Sequence, residues 1–97
     1  MKIGYYAIVE KDRKDPGFYN VSFPDIYPGV TFGKSFDDAI FMAKDLLKLM
    51  VEEAPHQCFP PKDYGGLRKE FPKRHLEYIE VDADLTAYEA YQKSKEK

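Results

Sequence analysis

The residues with the most reactive side chains are Cys58, His56 and His75, together with a run of alternating acids, Glu80, Asp82 and Asp84. A nucleophilic thiol needs a base within hydrogen-bond reach and a third group to orient that base. Cys58 and His56 stand two apart in a proline-flanked segment, with His75 as the one other histidine, and a lone cysteine in a short chain is ordinarily a small apolar core residue. A structural zinc site needs about four nitrogen or sulfur ligands, and His56, Cys58 and His75 fall short of that, so no metal ligand and no cofactor is assigned. Carboxylates that alternate along a strand share one side and can hold Mg²⁺ for phosphoryl transfer. Here the set would be Glu10, Glu80 and Asp82, but Glu10 stands at the end of its own strand and no acid sits mid-strand in residues 3–9. The plainer account of the alternating acids is a charged strand edge that resists edge-to-edge pairing. No catalytic residue is assigned.

Phosphate loops need Gly-x-Gly spacing or a Lys-Ser/Thr ending, and Gly65-Gly66 has neither. Lys62, Arg68, Lys69, Lys73 and Arg74 cluster around Tyr64 and Phe71, a mixture that suits stacking on single-stranded bases. A standalone RNA- or nucleotide-binding domain built on Tyr64, Arg68, Lys69, Lys73 and Arg74 is therefore the alternative to a protein-binding role. The charge balance limits it: 15 basic against 17 acidic residues, net −2, is no surface built throughout for a phosphate backbone.

Those side chains must be positioned by one small domain, residues 1–97, since the length suits one core and not two. Hydrophobic residues make up 43% and charged residues 33%, with 8 Tyr, 7 Phe and no Trp, so aromatics either fill the core or serve half-wetted surfaces. A single cysteine precludes an internal disulfide, and neither a signal segment nor an apolar run long enough for a bilayer is present. A cytoplasmic protein is expected.

The organising element is the segment from Ser35 to Glu53. Phe36, Ala39, Ile40, Ala43, Leu47 and Met50 recur at three- and four-residue steps, which predicts an amphipathic helix with those side chains inward. Ser35 and Asp38 form a capping pair, Asp37 and Asp38 meet the positive end of the dipole, and Pro55 stops the helix. The apolar arc is wider than one core requires. Met42, Leu46 and Leu49 form a shoulder predicted to be covered by the Phe59–Phe71 loop or by a second copy of the chain, and Phe41 stands alone among charges.

Strands are predicted at 2–11, 18–23, 30–34 and 75–81, with an Asp-Pro-Gly turn after the first and two prolines bending residues 24–29. Residues 54–74 are expected to be a long loop with a short turn at Tyr64 to Lys69, packed down by Phe59, Leu67 and Phe71. A last short helix follows, capped by Asp84. The order is β-β-β-α-β with a short C-terminal helix: an α+β fold, a small antiparallel-rich sheet with the long helix on one face.

Several of these residues also form a more specific pattern: Glu10-Lys11-Asp12, Tyr19, Val21, Phe23-Pro24-Asp25, Pro28-Gly29, Gly33, Ser35, Ala39 and Ala43. Their spacing resembles the N-terminal domain of HicB-type antitoxins. Phe59–Pro61, Tyr78–Asp82 and Leu85–Tyr88 extend the resemblance over nearly the whole chain. The resemblance implies a truncated ribonuclease-H-like fold without nuclease activity. It also implies a partner, a HicA-type ribonuclease toxin that cleaves mRNA, whose active site the antitoxin covers. Self-association into a homodimer or higher oligomer is implied as well, with Met42, Leu46 and Leu49 as the expected interface. Glu10, Asp12, Asp25 and Tyr27 are the expected toxin-facing residues. The chain departs from the family in its turn, Asp25-Ile26-Tyr27-Pro28-Gly29, which carries an extra residue and a bulky Tyr where Asp-Leu-Pro-Gly is usual. Too few residues follow Asp84 for the DNA-binding module many members carry, so direct operator binding is not expected.

Overall fold

Strand β1, Lys2–Lys11, has apolar residues on both faces, which suits a strand with neighbours on both edges. The computed structural model, which describes residues 1–95, places it so. With β2 (Tyr19–Ser22), β3 (Val30–Gly33) and β4 (Leu76–Asp82), it forms a four-stranded sheet ordered β3-β2-β1-β4, each adjacent pair antiparallel. The α+β architecture is therefore as expected. The long pairing joins β1 to β4, from Lys2 opposite Asp82 to Ile8 opposite Leu76. Between β1 and β2 the Asp12 carboxylate accepts from the backbone amides of Lys14 and Asp15, and Gly17 takes φ +90°, a conformation that side chains disfavour.

Helix α1, Phe36–Glu53, starts one residue after its cap: Ser35 Oγ accepts from Asp38 N at 3.1 Å. Asp38 reaches back to Lys34 N, one residue beyond the position a standard capping box would satisfy. The helix approaches the sheet closely because small residues face it. Ala39 and Ala43 are fully buried, and a Cβ on Gly33 would lie 2.2 Å from Ala39 N. Leu47, Met50 and Val51 complete the buried stripe over Tyr5, Ala7, Val9, Val21 and Ile79, while Phe36 and Ile40 are half-buried at its margin.

The segment 54–74 departs from its prediction. A 3₁₀ turn, Pro55–Gln57, is followed by helix α2, Tyr64–Glu70, despite the glycine pair inside it. Asp63 caps α2 by accepting from Gly66 N at 2.8 Å, and fully buried Leu67 pins it to Ile8 and Leu76 with Tyr6 and Phe71 beside them. That contact is on the sheet face away from α1. The shoulder of α1 is thus not covered by this segment: Leu46 packs against the core, Met42 is half-buried, and Leu49 stays 54% exposed. Phe59, expected to help pack the loop, is itself exposed. Helix α3, Thr86–Ser94, follows β4; Asp84 accepts from the amide and hydroxyl of Thr86 at its start.

Candidate partner-binding surface

The bend at residues 24–29 is built by backbone bonds: Phe23 N donates to Gly29 O and Ile26 N to Phe23 O. It is then held from the side, since Tyr27 N donates to Gln57 O, Phe59 N to Asp25 O, and Ile26 bridges Cys58. Asp25 is the buried acid of the chain's described core, 4% exposed, and its carboxylate accepts from Lys62 N at 2.9 Å and Lys62 Nζ at 3.0 Å. A carboxylate held this way locks the bend to the segment after α1 and is not offered to solvent. This corrects the expectation of a toxin-facing Asp25. Tyr27, next but one, is 77% exposed.

Glu10 and Asp12 are at the far end of β2 from Tyr27, because Lys11 pairs with Tyr19 whereas the bend follows Ser22. Arg74 grips Glu10 with two bonds of 2.5 and 2.6 Å, which holds the Glu10 carboxyl below the usual carboxylate range. Asp12 is lowered too, first by the amide of Lys14, because it closes its own turn. The four expected contact residues therefore form no single patch. Tyr27 is the one that projects freely.

The acids of the nuclease alternative are also apart. Glu80 lies opposite Gly4 and Asp82 opposite Lys2, so Glu10 is six positions along β1 from Gly4, about 20 Å at the strand rise. No group of three metal-ligating side chains converges among the described residues. Cys58 is buried, its thiol pushed up to about 11 by desolvation, and it donates weakly to Ala54 O. His56 sets its ring edge against Tyr91, while His75 contacts Glu77 at the start of β4, so no cysteine–histidine pair forms.

The basic segment is largely spent on itself. Arg68 donates to the carbonyls of Phe71, Pro72 and Arg74 and to the Tyr64 hydroxyl, Arg74 holds Glu10, and Lys62 holds Asp25. Lys69 and Lys73 are exposed. Three of the five cations are thus engaged within the chain: Arg74 with the sheet, Lys62 with the bend at 24–29 and Arg68 with its own segment.

Two features were not foreseen. Val30 and Phe32, on the outer face of β3, are 68% and 54% exposed, and the Phe32 ring stacks on Phe18 at 6.1 Å between centroids. Val30 borders an open cavity of about 190 Å³ lined by Ile8, Ser22 and Arg74 among others. The alternation of Val30-Thr31-Phe32 could have shown this, since Gly33 must face α1. The second is a buried hydroxyl chain from Tyr88 through Tyr5 to the Phe59 carbonyl, linking α3, β1 and the segment after α1.

Neither a family model nor a curated protein sequence matches this chain. Among solved structures, it is similar to a chain of a toxin–antitoxin complex from Streptococcus pneumoniae. The TM-score is 0.64 at 20% identity, covering 91% of this chain and 73% of that one. Similarity at that identity establishes a shared fold.

Proposed function

We propose that this chain is the antitoxin of a HicA–HicB-like pair, binding a small mRNA-cleaving toxin and covering its active site by steric occlusion. The observation that carries this reading is the fold shared over 91% of the chain with a component of a toxin–antitoxin complex. The motif spacing from Glu10 to Ala43, in the HicB order, points the same way. The truncated ribonuclease-H-like ancestry, the cytoplasmic location and the lack of enzymatic activity belong with this proposal. On this reading Tyr27 is a contact residue: a rigid aromatic on a bend locked by Asp25 and Lys62 loses little entropy on binding. The alternative, RNA binding by the basic segment, has less to work with, because Arg68, Arg74 and Lys62 are already engaged.

The test is inhibition. The candidate toxin is to be sought in a reading frame adjacent to this chain's own, as a small basic protein; mRNA cleavage by it is measured while the chain is titrated in. Cleavage that stops near equimolar chain, with a complex on size-exclusion chromatography, is the expected result. Undiminished cleavage without a complex overturns the proposal. RNA retained at low salt by the chain alone, and lost in Lys69→Ala/Lys73→Ala, would favour the RNA-binding alternative instead.

A further inference from the structure

Alternation at the end of β1 sorts its charges by face. Glu10 pairs with Asn20, and Asp12 accepts from the Asn20 side chain, so both acids lie on the α2 face. Lys11, between them, pairs with Tyr19 and shares the α1 face with Val9 and Val21. The register of β4 leaves this corner open. Its first residue, Leu76, is opposite Ile8, and Val9 N donating to His75 O is the last link. Beyond that link the Lys11–Tyr19 pair overhangs with no β4 residue beside it.

The result is an open cavity of about 420 Å³, floored by Val9, Tyr19 and Phe36 and rimmed by Lys11, Lys73 and His75. Sites for small organic ligands run to about 300–1,000 Å³ and are mostly apolar with a few convergent polar groups. Tyr19 and Phe36 meet edge to face at 5.5 Å between centroids, and both are half-buried, so ring surface reaches the opening. Lys11 and Lys73 have no ion-pair partner among the described residues, in contrast to Lys62 and Arg74. Glu10, the one acid of the lining, is already held by Arg74. His75 turns its Nε2 to Glu77, so its ring serves as a wall.

We propose that this corner of the fold binds a small aromatic anion, its ring against Tyr19 and Phe36 and its carboxylate or phosphate held by Lys11 and Lys73. This goes beyond the antitoxin reading and does not depend on it, since Tyr27 is at the other end of β2. Two unpaired ammonium groups over an apolar floor suit a ligand that is negative at one end and apolar at the other. The same two charges repel a basic protein, which sets this corner apart from a toxin-binding surface. Ammonium groups act as point charges and do not by themselves choose between carboxylate and phosphate. The ring contact is what separates such a ligand from free phosphate.

The test is an NMR titration of the full chain with naphthoate and with AMP, each up to about 10 mM. Saturable binding of at least one is expected, with contacts from its ring protons to Tyr19 and Phe36, and the tighter of the two identifies the anion. The neutral counterparts, naphthamide and adenosine, and inorganic phosphate are each expected to bind at least about ten-fold more weakly. Lys11→Gln/Lys73→Gln is expected to raise the Kd at least about ten-fold while the melting temperature holds, since both side chains are exposed. Tyr27→Ala should leave the Kd unchanged. The proposal is overturned if neither acid saturates, if a neutral counterpart or phosphate binds as tightly, or if the glutamine pair binds like wild type. AMP binding that is lost in Lys69→Ala and kept in Lys11→Gln would belong to the basic segment, and overturns it as well.

Discussion

The hydroxyls of Tyr5 and Tyr88 lie 2.8 Å apart, although 83 residues separate them in sequence. Tyr5 has one proton and donates it to the Phe59 carbonyl at 2.7 Å, so Tyr88 must be the donor to Tyr5. Removing the central hydroxyl leaves a carbonyl without its donor and a donor without its acceptor. Tyr5→Phe is expected to cost about 1–3 kcal/mol, and Tyr88→Phe, which ends the chain without orphaning Phe59, about 0.5–1.5 kcal/mol. Urea unfolding with unchanged m-values checks the order of the two.

The same pair makes stability fall at alkaline pH. Burial first, then the bond to Tyr88, push the Tyr5 hydroxyl well above its ordinary 10.0, and burial raises Tyr88 as well. Below pH 10 both states hold these protons and the contribution is intact. Above it the unfolded tyrosines ionise while the folded ones do not, so stability is lost as pH rises toward the raised folded values. Melting temperatures from pH 8 to 11 are expected to drop less steeply in Tyr5→Phe/Tyr88→Phe than in wild type.

Asp25 and Tyr27 should separate stability from binding. Asp25→Ala strips the acceptor for both Lys62 N and Lys62 Nζ and is expected to lower stability by about 1–3 kcal/mol. Tyr27→Ala, at a highly exposed position, is expected to stay within about 0.5 kcal/mol of wild type. In a toxin-binding assay Tyr27→Ala should weaken the complex without a change in melting temperature. An unstable Tyr27→Ala protein would contradict its placement.

Two glycines test how closely elements approach. A Cβ at Gly33 would meet Ala39 N at 2.2 Å and Ala39 Cα at 2.5 Å, backbone atoms in the middle of the fold. A Cβ at Gly4 would meet the Tyr78 hydroxyl at 2.0 Å, but that ring is exposed and can swing away. Gly33→Ala is expected to cost about 3 kcal/mol or more and Gly4→Ala about 1 kcal/mol, read by thermal unfolding.

Cys58 should be silent toward thiol reagents in the native protein, being buried with its thiol pushed up to about 11. Labelling by a disulfide reagent is expected only when denaturant is added. Prompt native labelling would mean that the segment after α1 opens far more readily than its bonds to Asp25 and Ile26 suggest.

What could be read from the sequence was the local part of the design. Ser35, the apolar stripe and Pro55 announce α1 because capping and periodicity act within a few residues. Alternation placed β2 and β4, and β-branched and aromatic content placed β1, for the same reason. The partners of Asp25, Tyr5 and Glu10 are 37, 83 and 64 residues away, and nothing in local pattern points to them. Acids that looked available for a toxin were therefore engaged within the chain. Helix α2 was hidden by Gly65-Gly66, which signal a break, whereas the Asp63 cap and the burial of Leu67 outweigh that cost.

The order β3-β2-β1-β4 also has a consequence for synthesis. Strands β1 to β3 and helix α1 are contiguous in sequence and can dock as soon as they leave the ribosome, yet β1 lacks one neighbour until Leu76–Asp82 has been made. Until then a ten-residue strand with two apolar faces presents an open row of amides and carbonyls. A chain stalled or cleaved before Leu76 would thus be a sticky fragment rather than a smaller version of the protein, and completing the last strand is what makes the product safe to accumulate.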